Sequence, residues 1–399
     1  MFNAATVMVE NVFLEPPGQD SGYDRLVGRD LGLRLIERLG RAPDACWLFC
    51  SPGEGLDDLL QGVNDTIDTD NLVGCTTDGE ISSAGFSSSS AVLGGIVSDQ
   101  IDFHIASITG LGTHSEENAR RLGEMLPRTT QYAQVFSDGL TGNGSAILRG
   151  LNSSLEGDIP IAGGGAGDAG RFLKTWQFHG RRLLSDSAVC IGFSGNFTVG
   201  TGVKSGWAPV GLSKRVTRAQ GNVVYELDGR PALEVYKRFL GKHADKLPAV
   251  GVEYPFGLMD ESGNVGESDY FLLRAPMTTI TEEGAISFAG EVPEGSVVRL
   301  TCGDHGSILH GSRQAAQLAL EDMGDVTPAM VFFYSCTARR IVLGMRTPLE
   351  LEQIRHVFGA DVPILGFYTY GEYCRVRRGG ASLLHNETAT ISVIGVHDA

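Results

Sequence analysis

The residues best able to do chemistry in this chain fall in two short segments that share a pattern. Gly74-Cys75-Thr76-Thr77-Asp78-Gly79-Glu80 and Gly366-Phe367-Tyr368-Thr369-Tyr370-Gly371-Glu372 both read G-x-x-T-x-G-E. A glycine just ahead of the acid tolerates positive φ, so the chain can turn sharply and present a carboxylate at a strand end. Ligands of open α/β folds gather at such ends. On this reading Asp78, Gly79, Glu80, Gly371 and Glu372 form a ligand site, with Thr76 and Tyr370 at its rim and the two glutamates facing each other across a cleft. The alternative is that each glutamate accepts backbone N–H bonds within its own turn.

Cys336-Thr337-Ala338-Arg339-Arg340 places a thiol and a guanidinium directly after a run of β-formers. Arg339 there could clamp a carboxylate in bidentate fashion, or tie the halves together by pairing with Glu80 or Glu372. An acid and an arginine in one cleft suit a zwitterion such as an amino acid. Paired carboxylates near Cys75, Cys336 and Arg339 leave a second function open, an enzyme acting on a small carboxylate metabolite. No His or Lys is tied to those cysteines by spacing. The chain also lacks G-x-S-x-G, H-E-x-x-H, C-x-x-C and the Walker A sequence, so the expectation is a binding protein and not an enzyme.

Three histidines could ligate a metal. Cys302, His305 and His310 form C-x-x-H-x-x-x-x-H, and His179 ends the aromatic run Trp176-Gln177-Phe178-His179. For a haem b iron the order of candidates is His179, His310, His305; solvated histidines are the plainer alternative. Gly165-Ala166-Gly167-Asp168-Ala169-Gly170 is formally G-x-G-x-x-G, but Arg171 onward reads as strand where a dinucleotide site needs a helix. Tight packing of loop on strand is the favoured reading.

The elements that must position these residues alternate. Strand patterns at Thr6–Val9, Cys46–Cys50, Leu72-Val73, Ala91–Val97, Phe103–Ile108 and Tyr132–Phe136 are interleaved with helical spacing at Tyr23–Leu39, Leu56–Val63, Glu116–Met125 and Asn143–Leu151. The stretch from Phe172 to Tyr225 is mostly β. Pro231–Leu240 opens a new helix after Asp228-Gly229. Helices over Ser307–Asp322 and Leu349–Phe358, with strands at Met330–Tyr334, Val362–Leu365 and Thr388–Val396, complete the chain. The predicted fold is mixed α/β and antiparallel β. Because the two G-x-x-T-x-G-E segments share their flanks, two related halves with pseudo-two-fold symmetry are expected, residues 1–220 and 221–399.

Composition narrows the function. Hydrophobic residues make up 42% of the 399 and charged residues 20%, enough for a sizeable core in more than one domain. A net charge of -16 opposes nucleic acids and anionic membranes. Met1 to Glu15 holds no Lys or Arg and no signal-peptide pattern, and no apolar run is long enough to span a bilayer. Seven scattered cysteines suit a reducing cytoplasm.

Several stretches resemble a known family. Val73 to Ile81 and Gly163 to Asp168 look like the N-terminal FIST domain. Leu227-Asp228-Gly229-Arg230-Pro231-Ala232-Leu233-Glu234, Ser335 to Arg339 and Gly366 to Glu372 look like the C-terminal one. The resemblance implies a FIST N-type domain over 1–220 and a FIST C-type domain over 221–399. It also implies signal transduction, with amino-acid-like ligands and a histidine kinase or a diguanylate cyclase, a cyclic-di-GMP enzyme, as partner. A subset of the family senses nitric oxide through haem, which implies haem b as a cofactor to be tested.

Overall fold

Alternation of large apolar side chains decides which way the central strands face. In Ala45–Cys50, Trp47 and Phe49 point to one side while Cys46, Leu48 and Cys50 point to the other. Tyr132–Ser137 and Met330–Cys336 divide in the same way, with Tyr132, Phe136, Phe332 and Tyr334 sharing the first side. Both sides are buried because helices cover the outer one. The computed structural model describes residues 1–10, 12, 23–67, 69–155, 158–262 and 270–397.

These three strands sit in three six-stranded sheets of one topology. In each, a first strand leads through a helix to a second strand, then a helix and a third strand parallel to the second. A short hairpin follows, and a last strand returns between the first and second, antiparallel to both. The unit recurs over residues 2–98, 101–195 and 197–396. In the third unit residues 205–304 are inserted between the first strand, Phe197–Lys204, and the helix His305–Met323. The insertion builds an antiparallel sheet around the helix Ala232–Leu240.

No unit keeps its own hairpin. Glu80–Ser82 and Gly85–Ser87 of the first extend the sheet of the third, pairing with Ile364–Thr369. Glu372–Arg375 and Ser382–His385 of the third extend the second through Ile161–Gly165. Gln177–His179 and Arg182–Leu184 of the second extend the first through Leu72–Thr76. The cyclic exchange closes three sheets around one aromatic core. There the equivalent residues Phe49, Phe136 and Tyr334 form a triangle with ring centroids 5.2, 6.0 and 6.4 Å apart. Such pairs each add about 1 kcal/mol beyond area burial.

The mixed α/β class is as expected. The two G-x-x-T-x-G-E segments are the same joint in the first and third units, so the N- and C-terminal parts are related through them, and a middle copy lies between. The expected division near residue 220 falls at the Gly221 turn (φ 59°) within the inserted sheet. Arg171 to Trp176, read as strand from sequence, is a loop. The Asp168 carboxylate accepts the N–H groups of Phe172, Leu173 and Lys174 at 2.8, 2.6 and 3.0 Å and curls the chain around itself. Among the described residues no helix is long and apolar enough to cross a membrane.

Candidate functional site

Each unit joins its third strand to its hairpin through one side chain. Glu80 accepts from Ser51 and Ser90 at 3.0 and 2.5 Å and from Thr77. Glu372 accepts from the Thr369 and Thr388 hydroxyls, both at 2.7 Å, and from the Thr388 N–H at 3.2 Å. In the middle unit the place is held by Gln177, which accepts from Ser187 at 2.7 Å and donates to Thr175 at 3.3 Å. All three are buried. Burial pushes both glutamates up to about 7 against the pull of the hydroxyls. Glu80 and Glu372 therefore sit in separate joints, each satisfied mainly by hydroxyls of its own unit.

The other expected site residues are spread around these joints. Asp78 is nearly buried and pairs with Arg340 at 2.9 Å; burial raises its carboxyl and Arg340 opposes the rise. Gly79 (φ 125°) packs where a Cβ would meet the Phe86 ring at 2.7 Å, and Gly371 (φ 159°) makes the equivalent turn. Thr76 accepts from the Trp176 N–H at 3.0 Å. Tyr370 donates to Asp168 at 2.6 Å and stacks on Phe172. Arg339 is fully buried and meets Glu350 at 2.7 Å, with Ser312 and the Ile308 carbonyl at 2.6 and 2.9 Å. Its partner is neither Glu80 nor Glu372.

The entry to the last strand separates the third unit from its mates. Ser89, Asp186 and Glu387 hold this place with φ of 63°, 47° and 60°, a region disfavoured for side chains larger than glycine. The turn is stabilised from behind. Ser89 N–H donates to Ser51 at 2.9 Å, Asp186 N–H donates to Asp138 at 3.0 Å, and Glu387 N–H faces the Cys336 sulfur. The side chains differ in fate. Ser89 is exposed, and Asp186 accepts from Gly112 N–H and the Thr141 hydroxyl at 2.7 and 3.0 Å. Glu387 is fully buried, and neither carboxylate oxygen has a donor among the described residues.

The insertion explains the difference. Asp186 takes its backbone donor from Gly112 in the first turn of the helix Leu111–Glu124; ahead of the corresponding helix of the third unit the chain departs into residues 205–304. That excursion covers Glu387 without satisfying it. Tyr236 of the inserted helix, Glu372, Cys336 and Arg339 lie within electrostatic reach, and the neighbouring Asn386 Oδ1 is also unpartnered. Burial raises the Glu387 carboxyl well above its usual range, and Glu372 raises it further. The Cys336 thiol is pushed up by burial and then by the two glutamates, which makes it a poor nucleophile. A ligand carrying a cation or several N–H donors would relieve this cluster.

Sequence reasoning missed Glu387. The signal is present as Ser89-Ser90-Ala91, Asp186-Ser187-Ala188 and Glu387-Thr388-Ala389, a small or acidic residue, a hydroxyl, then Ala at the start of each last strand.

The histidines do not converge on a metal. His179 Nδ1 accepts from the Arg182 guanidinium at 2.6 Å, so the proton lies on Nε2, and burial, then Arg182, lowers the ring to about 4. His305 uses both nitrogens, Nε2 toward the Val342 carbonyl and Nδ1 toward Arg346. Neither fits a haem iron without losing these bonds. His310 is exposed beside Trp207 and Tyr270 at a cavity of about 290 Å³ that also holds Lys204 and Gln314.

Two family models match the chain, the FIST N domain over residues 44–230 and the FIST C domain over 232–375. Curated relatives include an uncharacterized protein of Methanocaldococcus jannaschii, 25% identical over 79% of this chain and 64% of that protein. Another is an uncharacterized protein of Mycobacterium tuberculosis, 26% identical over 84% of this chain and 86% of its own length. The chain thus spans less than two thirds of the archaeal relative. Among solved structures, cyanuric acid hydrolase from A. caulinodans matches along the whole of both chains at 8% identity and TM-score 0.39. A chorismatase matches over 98% of both at 9% identity and TM-score 0.31. Both are enzymes, so the expectation of a non-enzyme is withdrawn; likeness this low assigns no activity in its place.

Proposed function

We propose a function from one premise: this chain belongs to the FIST family, whose domains sense small ligands in signalling proteins. The ligand is an amino-acid-like molecule whose ammonium group meets Glu387 and the neighbouring Glu372, between the third unit and the inserted subdomain. One observation carries the reading: Glu387 is fully buried, held at φ 60°, and has two carboxylate oxygens without a donor among the described residues. Its position also suggests how binding is reported. Neutralising the cluster draws the inserted subdomain, through Tyr236, toward the body of the protein, and a histidine kinase or cyclic-di-GMP enzyme reads that change. A thermal-shift screen of amino acids against their N-acetyl forms tests it. The free amine should raise the melting temperature and the acetylated form should not; equal responses would refute the ammonium contact.

A second reading shares the site. Two buried carboxyls within electrostatic reach of each other, both raised by burial, are also equipment for acid–base chemistry on a small metabolite. Consumption of a stabilising amino acid by wild type, abolished in Glu372→Gln, would select this reading.

A further inference from the structure

A second cavity of about 550 Å³ lies where the inserted subdomain meets the second unit. The helix Gly144–Ser154 forms one wall, the insertion a second, and the hairpin donated by the third unit the last. Leu148, Leu258, Leu272, Pro293, Leu383 and Leu384 make it mainly apolar, and none of the Glu387 cluster lines it. The volume is within the range of small-molecule sites.

One cation in the wall has no carboxylate in direct contact among the described residues. Arg274 is only 4% exposed, yet its hydrogen-bond partners among the described residues are all carbonyls: Glu291 O at 2.8 Å, Leu273 O at 2.8 Å and Leu384 O at 3.3 Å. No carboxylate forms an ion pair with it among the described residues. Glu291, the acid in the same wall, is taken by Arg149 at 2.7 and 3.2 Å and by Asn143 at 2.9 Å. Arg149 is shared between Glu291 and Glu116, the latter at 2.9 Å, and Glu291 acts on Arg274 only at a distance, so Arg274 is the cation of this lining without a carboxylate in contact among the described residues. Burial lowers the Arg274 guanidinium to about 10, with Tyr270 and Glu291 opposing the fall. An anion there would gain a charge-assisted bond in a low-dielectric wall.

We propose that this cavity binds a small amphiphilic carboxylate, its acid group on Arg274 and its apolar body against the leucines. It is a site separate from the Glu387 cluster and selects the opposite charge.

Calorimetric titration with octanoate, octanol and octylamine tests the proposal. Octanoate should bind saturably at one site per chain, and the alcohol and the amine at least tenfold more weakly. Arg274→Met should lose that preference. Since Arg274 also holds three carbonyls, a second variant, Leu383→Trp, leaves those bonds in place and fills the cavity from a residue 37% exposed. It should weaken octanoate at least tenfold with an unchanged melting temperature. Lack of saturable octanoate binding, equal binding of octanol, or wild-type affinity in folded Leu383→Trp would each overturn the proposal.

Discussion

Arg339 and Glu350 meet at 2.7 Å with both side chains at zero exposure. Ser335 and Tyr368 also donate to Glu350, at 3.1 and 2.5 Å, and Ser312 bonds both partners, so the pair pins the helices His305–Met323 and Pro348–Phe358 to the third sheet. Removing one partner of such a pair leaves the other charged and buried, at a cost of about 3–5 kcal/mol. Arg339→Ala should therefore lower the unfolding free energy by that amount, measured by urea denaturation. A loss under about 1 kcal/mol would mean that the pair is not a structural tie.

The joint glutamates give a pH dependence with a defined sign. Glu80 and Glu372 are raised from 4.5 to about 7 in the folded protein. Their contribution is fully present below pH 4.5 and is lost as pH rises toward 7, because the unfolded chain ionises first. Gln177 shows that an amide is accommodated at this joint. Glu80→Gln and Glu372→Gln should each gain stability relative to wild type between pH 5 and 7.5, by roughly 2–3 kcal/mol. A pH-independent difference between wild type and variant would contradict the buried protonated state.

Gly163 shows what the run of glycines in the middle unit is for. Its φ is 121°, and a Cβ there would lie 2.1 Å from the Val135 carbonyl oxygen, in the parallel pairing of Ile161–Gly165 with Tyr132–Ser137. Gly163→Ala should cost at least about 2 kcal/mol through strain and clash. A melting temperature within a degree of wild type would show that the strand can shift to accept a methyl group.

The first and third units were legible because both keep G-x-x-T-x-G-E. The middle copy was hidden by two changes at the same joint. Gln177 replaces the acid, and residues 166–176, wrapped around Asp168, lengthen the loop and destroy the spacing. Most helices and strands followed from periodicity, including Tyr23–Leu39, which matches the structure residue for residue. The hairpin exchange could not be read, since each hairpin pairs with a strand far away in sequence. Arg339 was legible as a charged residue at a strand end, but its partner Glu350 lies on a helix that gave no sign of turning inward. Glu387 is marked only by the short triplet it shares with Ser89-Ser90-Ala91 and Asp186-Ser187-Ala188, and its isolation arises only when residues 205–304 cover it.

If Glu387 is held unsatisfied for a ligand, neutralising it should help the empty protein. Glu387→Gln should raise the melting temperature without ligand at pH 8, where the cost of burying an acid that is ionised in the unfolded chain is greatest, and the gain should shrink toward pH 5. A lower melting temperature across the whole range would instead make Glu387 a stabilising part of the fold.

The most direct measurement is the affinity of wild type and Glu387→Gln for the amino acid giving the largest thermal shift, determined by calorimetry at one pH. Loss of a charged partner in a buried site costs about 2–5 kcal/mol, so the variant should bind on the order of 30-fold more weakly or worse while remaining folded. Equal affinity in the two proteins, or no amino acid that binds wild type, would contradict the account.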